Sequence, residues 1–285
     1  MKTWGLMAGF FVLVMLVGWG VSYYYGSPAI LYGAVAFALI MNVGSYWFSD
    51  KLVLSMTHAK PATRAEHFDF YTVTENLAIT AGLPMPKLYI IEDPAPNAFA
   101  TGRDEKHAVV AATTGLLAMM NRAELEGVIA HELSHIKNKD MLVMTVAVVL
   151  AGFLAIVADI FLRMSFFGGG DRDSKGSALF AILAVVGIIL APIAAQLIQL
   201  AISRRREYLA DASGAILTRY PEGLASALQK IGSYGQPMKT ASHATAHLFI
   251  GNPFGGRAGN FMNKMFATHP PVQDRIEQLL RPDGR

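Results

Sequence analysis

Residues 3–49 contain no Asp, Glu, Lys, Arg or His. An apolar helix needs about 20 residues to cross a bilayer, so this run fits two passages rather than one. Tyr23-Tyr24-Tyr25-Gly26-Ser27-Pro28 breaks it in the middle. Gly and Pro punctuate the backbone there, and the tyrosines suit a membrane–water boundary. A cleaved secretory signal is the poorer match, because its apolar core runs only about 7–15 residues. The composition agrees. Hydrophobic residues make up 53% of the chain and charged ones 16%, against about 25% charged in soluble domains.

After a polar stretch, residues 141–161 and 177–202 form two more apolar runs, separated by Gly168-Gly169-Gly170-Asp171-Arg172-Asp173. Asp159 and Arg163 lie four apart near the end of the third run, the spacing of a helical ion pair. The basic residues near the ends of the runs divide unevenly. Lys2, Lys51, Lys60, Arg64, Lys137, Lys139, Arg204, Arg205 and Arg206 fall on one side, and Arg163, Arg172 and Lys175 on the other. The positive-inside rule makes the first side cytoplasmic. The sequence therefore divides into 1–50 (first two spans), 51–140 (polar), 141–203 (third and fourth spans) and 204–285 (polar). The two polar segments share one face and are expected to build a single domain. A net charge of +3 gives no reason to expect a nucleic-acid partner. The absence of cysteine excludes disulfides, thiolate metal sites and cysteine nucleophiles, leaving His, Asp and Glu to hold any metal.

In the first polar segment, 87–92, 97–102 and 107–112 read as short strands, the last two joined by a charged turn. Asn121-Arg122-Ala123-Glu124 has the spacing of a capping box. The helix it opens carries Leu125, Val128, Ile129 and Ile136 at helical intervals. His131, Glu132 and His135 lie on that helix. Positions i and i+4 share one helical face, so His131 and His135 can present two imidazoles to one ion. Glu132 sits about 100° round the helix, placed to reach a water rather than the metal. A hairpin of two spans returns the chain to the same face, which makes Glu207 a well-placed third ligand despite its distance in sequence. Asp211, one turn beyond, is positioned to accept the free N–H of a ligating histidine. Two imidazoles and one carboxylate leave the fourth position of a single Zn2+ per chain for water, with Glu132 as general base. The spacing thus predicts peptide-bond hydrolysis, with the oxyanion donor open among Arg, His, Tyr and Asn.

These residues resemble the HtpX family of membrane proteases and, more distantly, the CAAX prenyl endopeptidases. The resemblance rests on Pro96-Asn97-Ala98-Phe99-Ala100-Thr101-Gly102, His131-Glu132-Leu133-Ser134-His135, and Ser203-Arg204-Arg205-Arg206-Glu207-Tyr208-Leu209-Ala210-Asp211. It rests also on Thr268-His269-Pro270-Pro271-Val272 followed by Arg275. It implies a mainly α membrane protein: four transmembrane helices and a cytoplasmic zincin-like (gluzincin) α+β protease domain with a small sheet. It further implies that His131, His135 and Glu207 bind zinc and that Glu132 is the catalytic base. Asn97, Ala98, Phe99 and Ala100 would be the edge strand on which an extended substrate lies, and His269 and Arg275 would stabilise the oxyanion and position substrate. The implied task is stress-related quality control at the bacterial inner membrane, cutting unfolded or damaged membrane proteins on the cytoplasmic side. Two other readings are a prenyl-protein processing endopeptidase and a non-catalytic membrane holdase stabilised by zinc. His243 and His247 are also four apart, but no Glu follows the first, and their apolar surroundings suggest a packed helix end. Residues 251–261, rich in Gly and Asn, read as a mobile loop, with a flap over the cleft and an inert connection as equal alternatives. His58, His67 and His107 read as surface groups.

Overall fold

In the computed structural model the described residues are 2–167, 185, 204–242, 245–255 and 270–281. The chain divides into two compact units. One comprises Met1–Phe48 with Val146–Ala201, and the other Ser49–Thr145 with Ile202–Arg285.

In the first unit, α1 (Lys2–Tyr25) and α2 (Pro28–Met56) are joined at Gly26, whose φ of 62° lies in the left-handed region that glycine enters at least cost. Thr3–Tyr23 and Pro28–Met56 are long and apolar enough to cross a membrane. Trp4, Leu16, Trp19, Tyr32 and Ile40 are exposed along them, an outward apolar surface that suits lipid and not water. The two helices pack closely where Gly18 meets the side chain of Ala34, the small-residue contact that lets membrane helices approach. Trp4 stacks on Tyr46. The expected third span falls on α6 (Met141–Phe167). The Arg163 side chain, the glycine turn at 168–173 and, apart from Val185, the expected fourth span lie outside the described residues.

The second unit contains a four-stranded sheet of order β1-β2-β4-β3, formed by β1 (Lys60–Pro61), β2 (Lys87–Ile91), β3 (Ala98–Thr101) and β4 (Val109–Thr113). The three expected strands are present within a residue or two of their sequence limits. β1 is an addition that sequence alone did not indicate. β2 and β4 run parallel, with Lys87 opposite Val109 and Ile91 opposite Thr113. β3 is antiparallel to β4, with Ala98 opposite Ala112 and Thr101 opposite Val109. The connection between these two is tightened by Asp104, whose side chain accepts from the N–H groups of Lys106 and His107. β3 therefore lies at the sheet edge.

Against the sheet lies α5 (Arg122–Lys137), flanked by α3 (Phe68–Ala81), α7 (Arg204–Thr218) and α8 (Pro221–Ser233), with α9 (Val272–Leu280) on α7 and α8; a short α4 (Thr114–Met119) follows β4. The core is built from Val128, Ile129, Leu133 and Ile136 of α5 with Val110, Ala112, Phe70, Leu224 and Leu228. The capping box forms as the sequence predicts: the N–H of Glu124 donates to the Asn121 side chain, and the N–H of Asn121 donates to Glu124. Glu124 is buried and also receives Lys230 Nζ at 2.7 Å and Ser226 Oγ at 2.6 Å. One carboxylate thus caps α5 and pins α8 to it. Two glycines set the approach of the flanking helices. A Cβ on Gly127 would lie 2.6 Å from the Leu224 nitrogen, and one on Gly214 would lie 3.0 Å from the His131 nitrogen. The second contact lets α7 pass directly over the metal motif.

Burial alone would raise the Glu124 carboxyl; hydrogen bonds from Lys230, Ser226 and the Asn121 N–H outweigh it and hold the carboxyl below its ordinary value. A group depressed in the folded state contributes stability that is present above its unfolded pKa and lost as pH falls through the folded value. Glu124→Gln should therefore cost about 1–2 kcal/mol at pH 7. Its penalty should shrink once pH drops below about 4.3, the ordinary glutamate value. Thermal melts of both proteins across pH 3.5–8 check this; a gap independent of pH contradicts it.

Candidate metal centre

The three expected ligands converge. The Nε2 atoms of His131 and His135 are 3.2 Å apart. Glu207, on the first turn of α7, places Oε2 3.9 Å from His131 Nε2 and Oε1 3.6 Å from His135 Nε2. The three donor atoms lie within 4.8 Å of one another and all three residues are buried. Ligand atoms about 2.0–2.2 Å from a tetrahedral zinc stand roughly 3.3 Å apart, so the two imidazoles are at that spacing and the Glu207 carboxylate is a few tenths of an ångström beyond it.

The ring of His131 is fixed from behind. Its Nδ1 is 2.9 Å from Asp211 Oδ1, which sets the tautomer that leaves Nε2 free to ligate. Asp211 in turn receives Arg275 through two donors, Nε to Oδ2 at 2.8 Å and Nη2 to Oδ1 at 2.6 Å. Arg275 Nη1 donates to the Ile250 carbonyl at 3.0 Å. A single fully buried guanidinium thus joins α9, α7 and the 246–251 segment behind the ligand. The electrostatics follow from burial. Burial lowers His131 to about 4 against the opposing pull of Asp211, and raises Glu132 to about 7. Burial would also lower His135, but the carboxylates of Asp140, Glu207 and Glu132 raise it to about 9. Burial would raise Asp211, and Arg275 outweighs it to hold the carboxyl at about 2.

Glu132 is buried beside the triad, and its carboxylate accepts from the backbone N–H of Ala100 in β3. Helix α5 and the edge strand are therefore joined at the residue next to the first expected ligand.

The model of peptidase family M48 matches residues 65–283. The chain belongs to peptidase family M48. A protease HtpX homolog of Caldanaerobacter subterraneus subsp. tengcongensis is 47% identical over 285 residues, covering 98% of this chain and 93% of the relative. One from Pyrococcus furiosus is 49% identical over 280 residues, covering 98% and 94%. The crystal structure of S. mikatae Ste24p shares the fold at a TM-score of 0.52 and 17% identity, covering 96% of this chain and 67% of that one. The M48 chain is accordingly a membrane metalloprotease, and the resemblance to HtpX read from the motifs is correct.

Other expected site residues of this M48 protein sit differently. Arg275 is expected, with His269, to stabilise the oxyanion and position substrate; its donors face Asp211 and a backbone carbonyl, behind His131. His269 and His243 lie outside the described residues. Asn97, just before β3, is buried and holds Gly251 through both amide atoms, Nδ2 to the Gly251 carbonyl at 3.1 Å and the Gly251 N–H to Oδ1 at 3.0 Å. The Ala98 carbonyl accepts from the Ile250 N–H at 2.9 Å, and the Phe99 ring meets Phe249 edge-on at 5.3 Å. The chain's own 249–251 segment thus sits along part of the edge expected to take substrate. His247 is buried in a single 3-10 turn, Ala246–Leu248, and not at a helix end. His58 and His107 are exposed and His67 half-buried.

Sequence reasoning also missed Asp140 and Arg206. Asp140 Oδ2 lies 3.7 Å from His135 Nδ1, and Arg206 Nη1 lies 3.3 Å from Asp140 Oδ1. The available signal was position: Asp140 stands five residues past the second histidine, and Arg206 immediately before Glu207.

Arg275→Lys replaces a two-donor fork by a point charge. It should weaken metal binding about tenfold through loss of His131 positioning, and lower the melting temperature. Chelator competition and thermal melts measure both; unchanged affinity would remove Arg275 from the support of His131.

Proposed function

We propose that this chain is a zinc endopeptidase of a cytoplasmic membrane, with its active site facing the cytoplasm, that cleaves unfolded or damaged membrane proteins. The observation that carries the chemistry is the convergence of His131, His135 and Glu207 with Glu132 buried alongside. A zinc ion held by those three residues supplies Lewis acidity to water and to a substrate carbonyl. Glu132 takes a proton from water as its oxygen attacks the peptide carbon, and returns that proton to the leaving nitrogen as the C–N bond breaks. Asp211 and Arg275 hold His131 in the ligating tautomer. The Ala98–Thr101 edge, reached by Glu132 through Ala100, is where an extended chain would align by strand addition.

The membrane assignment is supported by the apolar α1 and α2 and by the HtpX relatives. The cytoplasmic orientation rests on the nine basic residues on one side of the spans against three on the other. Unfolded polypeptide is the substrate class that suits an edge strand, because pairing through backbone groups demands an extended chain and few particular side chains.

Glu132→Gln should cut an unfolded membrane protein at least 100-fold more slowly than wild type while retaining zinc. Chelation should silence the wild type, and zinc should restore it. Equal cleavage by Glu132→Gln and wild type overturns the mechanism and favours a holdase with structural zinc. Strict dependence on a farnesylated peptide overturns the substrate class in favour of prenyl-protein processing.

A further inference from the structure

The two histidines of the site are supported unequally. His131 has a carboxylate at hydrogen-bonding distance, itself gripped by a guanidinium. His135 has the same pair of groups nearby, but not closed upon it. The Nδ1 of His135, the Oδ2 of Asp140 and the Nη2 of Arg206 are all buried polar atoms without a hydrogen-bond partner among the described residues. His135 Nδ1 and Asp140 Oδ2 face each other at 3.7 Å. Arg206 Nη1 holds the other Asp140 oxygen at 3.3 Å. A buried donor and a buried acceptor left unpaired are costly, and here closing a few tenths of an ångström pairs both.

We propose that Asp140, held by Arg206, is the positioning carboxylate of His135, so that each zinc-ligating histidine is set by its own carboxylate–arginine pair. This rests on the zinc reading given above. The backbone explains how Asp140 arrives. After Asn138 caps α5, Lys139 adopts a φ of 58° and turns the chain back. The Asp140 N–H then donates to the His135 carbonyl at 3.0 Å, which returns the Asp140 side chain to the ring it serves. Arg206 reaches the same carboxylate from α7, one residue before the third ligand. The two arginines therefore brace the two faces of the triad: Arg275 behind His131 and Arg206 behind His135. Asp140 also precedes the first residue of α6, where its carbonyl accepts from Met144. The support of His135 is thereby fixed to the start of an apolar helix.

Asn is as good a helix N-cap as Asp, so Asp140→Asn keeps the helix start and removes only the carboxylate. The test uses full-length protein in detergent, carrying Glu132→Gln to prevent self-cleavage, with zinc affinity measured by competition with a chromogenic chelator. Asp140→Asn should weaken zinc about 10–100-fold, the range for partners of ligating histidines, and Asp211→Asn should do likewise. Arg206→Gln should weaken zinc in the parent protein and add little in the Asp140→Asn background, because it acts through that carboxylate. The chelated proteins should melt within a few degrees of the parent. Parent-like zinc affinity in Asp140→Asn, with Asp211→Asn impaired, overturns the proposal alone. Fully additive penalties from Asp140→Asn and Arg206→Gln overturn it too, as does a loss of zinc matched by early melting of the chelated protein. A parent that binds no zinc overturns the zinc reading itself.

Discussion

The ion pair between Asp211 and Arg275 is the interaction on which the metal centre depends. Both groups are buried, and either alone would be an uncompensated charge in the interior, a cost of several kcal/mol. Together they satisfy each other through two parallel hydrogen bonds, and the remaining guanidinium nitrogen takes the Ile250 carbonyl. The geometry asks for arginine, since lysine has no fork that grips a carboxylate and reaches a third acceptor. What the pair fixes is larger than one ring. It locks α9 to α7 and, through His131, α7 to α5, so that Glu207 cannot shift without disturbing the carboxylate one turn away. The close passage of Gly214 over the His131 backbone is the steric counterpart of that electrostatic lock.

Much of this was legible in the sequence where contacts are local. The capping box at Asn121 and Glu124 and the i, i+4 histidines depend only on helical periodicity, which the intervening residues carry. β2 and β4 announced themselves by their β-branched pairs, and β3 by a short apolar stretch before a charged turn. Glu207 is far from the histidines in sequence, and only the hairpin argument and the family resemblance pointed to it. Side-chain direction was the part not legible. The resemblance placed Arg275 in the site but not the way its guanidinium faces, although α9 gave a clue. Val272, Ile276 and Leu279 pack against the core, and an arginine within that stripe must be paired inside. Asp140 was hidden for a different reason. Its contact with His135 depends on a left-handed backbone at Lys139, which helical periodicity does not encode. β1 escaped because two residues, one of them proline, carry no period.

The strand β3 brings the backbone accounting to a functional point. On one side it pairs with β4. On its outer edge the Ala98 carbonyl is taken by Ile250 and the Ala100 N–H by Glu132. Buried backbone groups are nearly always paired, and these outer groups are paired with the protein itself. A substrate strand laid along Ala98–Ala100 must therefore exchange one set of hydrogen bonds for another rather than gain new ones. Strand addition at such an edge is close to balanced in hydrogen-bond energy. Discrimination then falls to how well the incoming chain stays extended and to what its side chains meet beside Phe99 and Phe249. A folded protein cannot offer an unpaired extended segment without local unfolding, which itself costs free energy. On the proposed reading, an already unfolded chain offers such a segment without that penalty, so the near-balance at β3 would favour damaged chains by making every additional cost count.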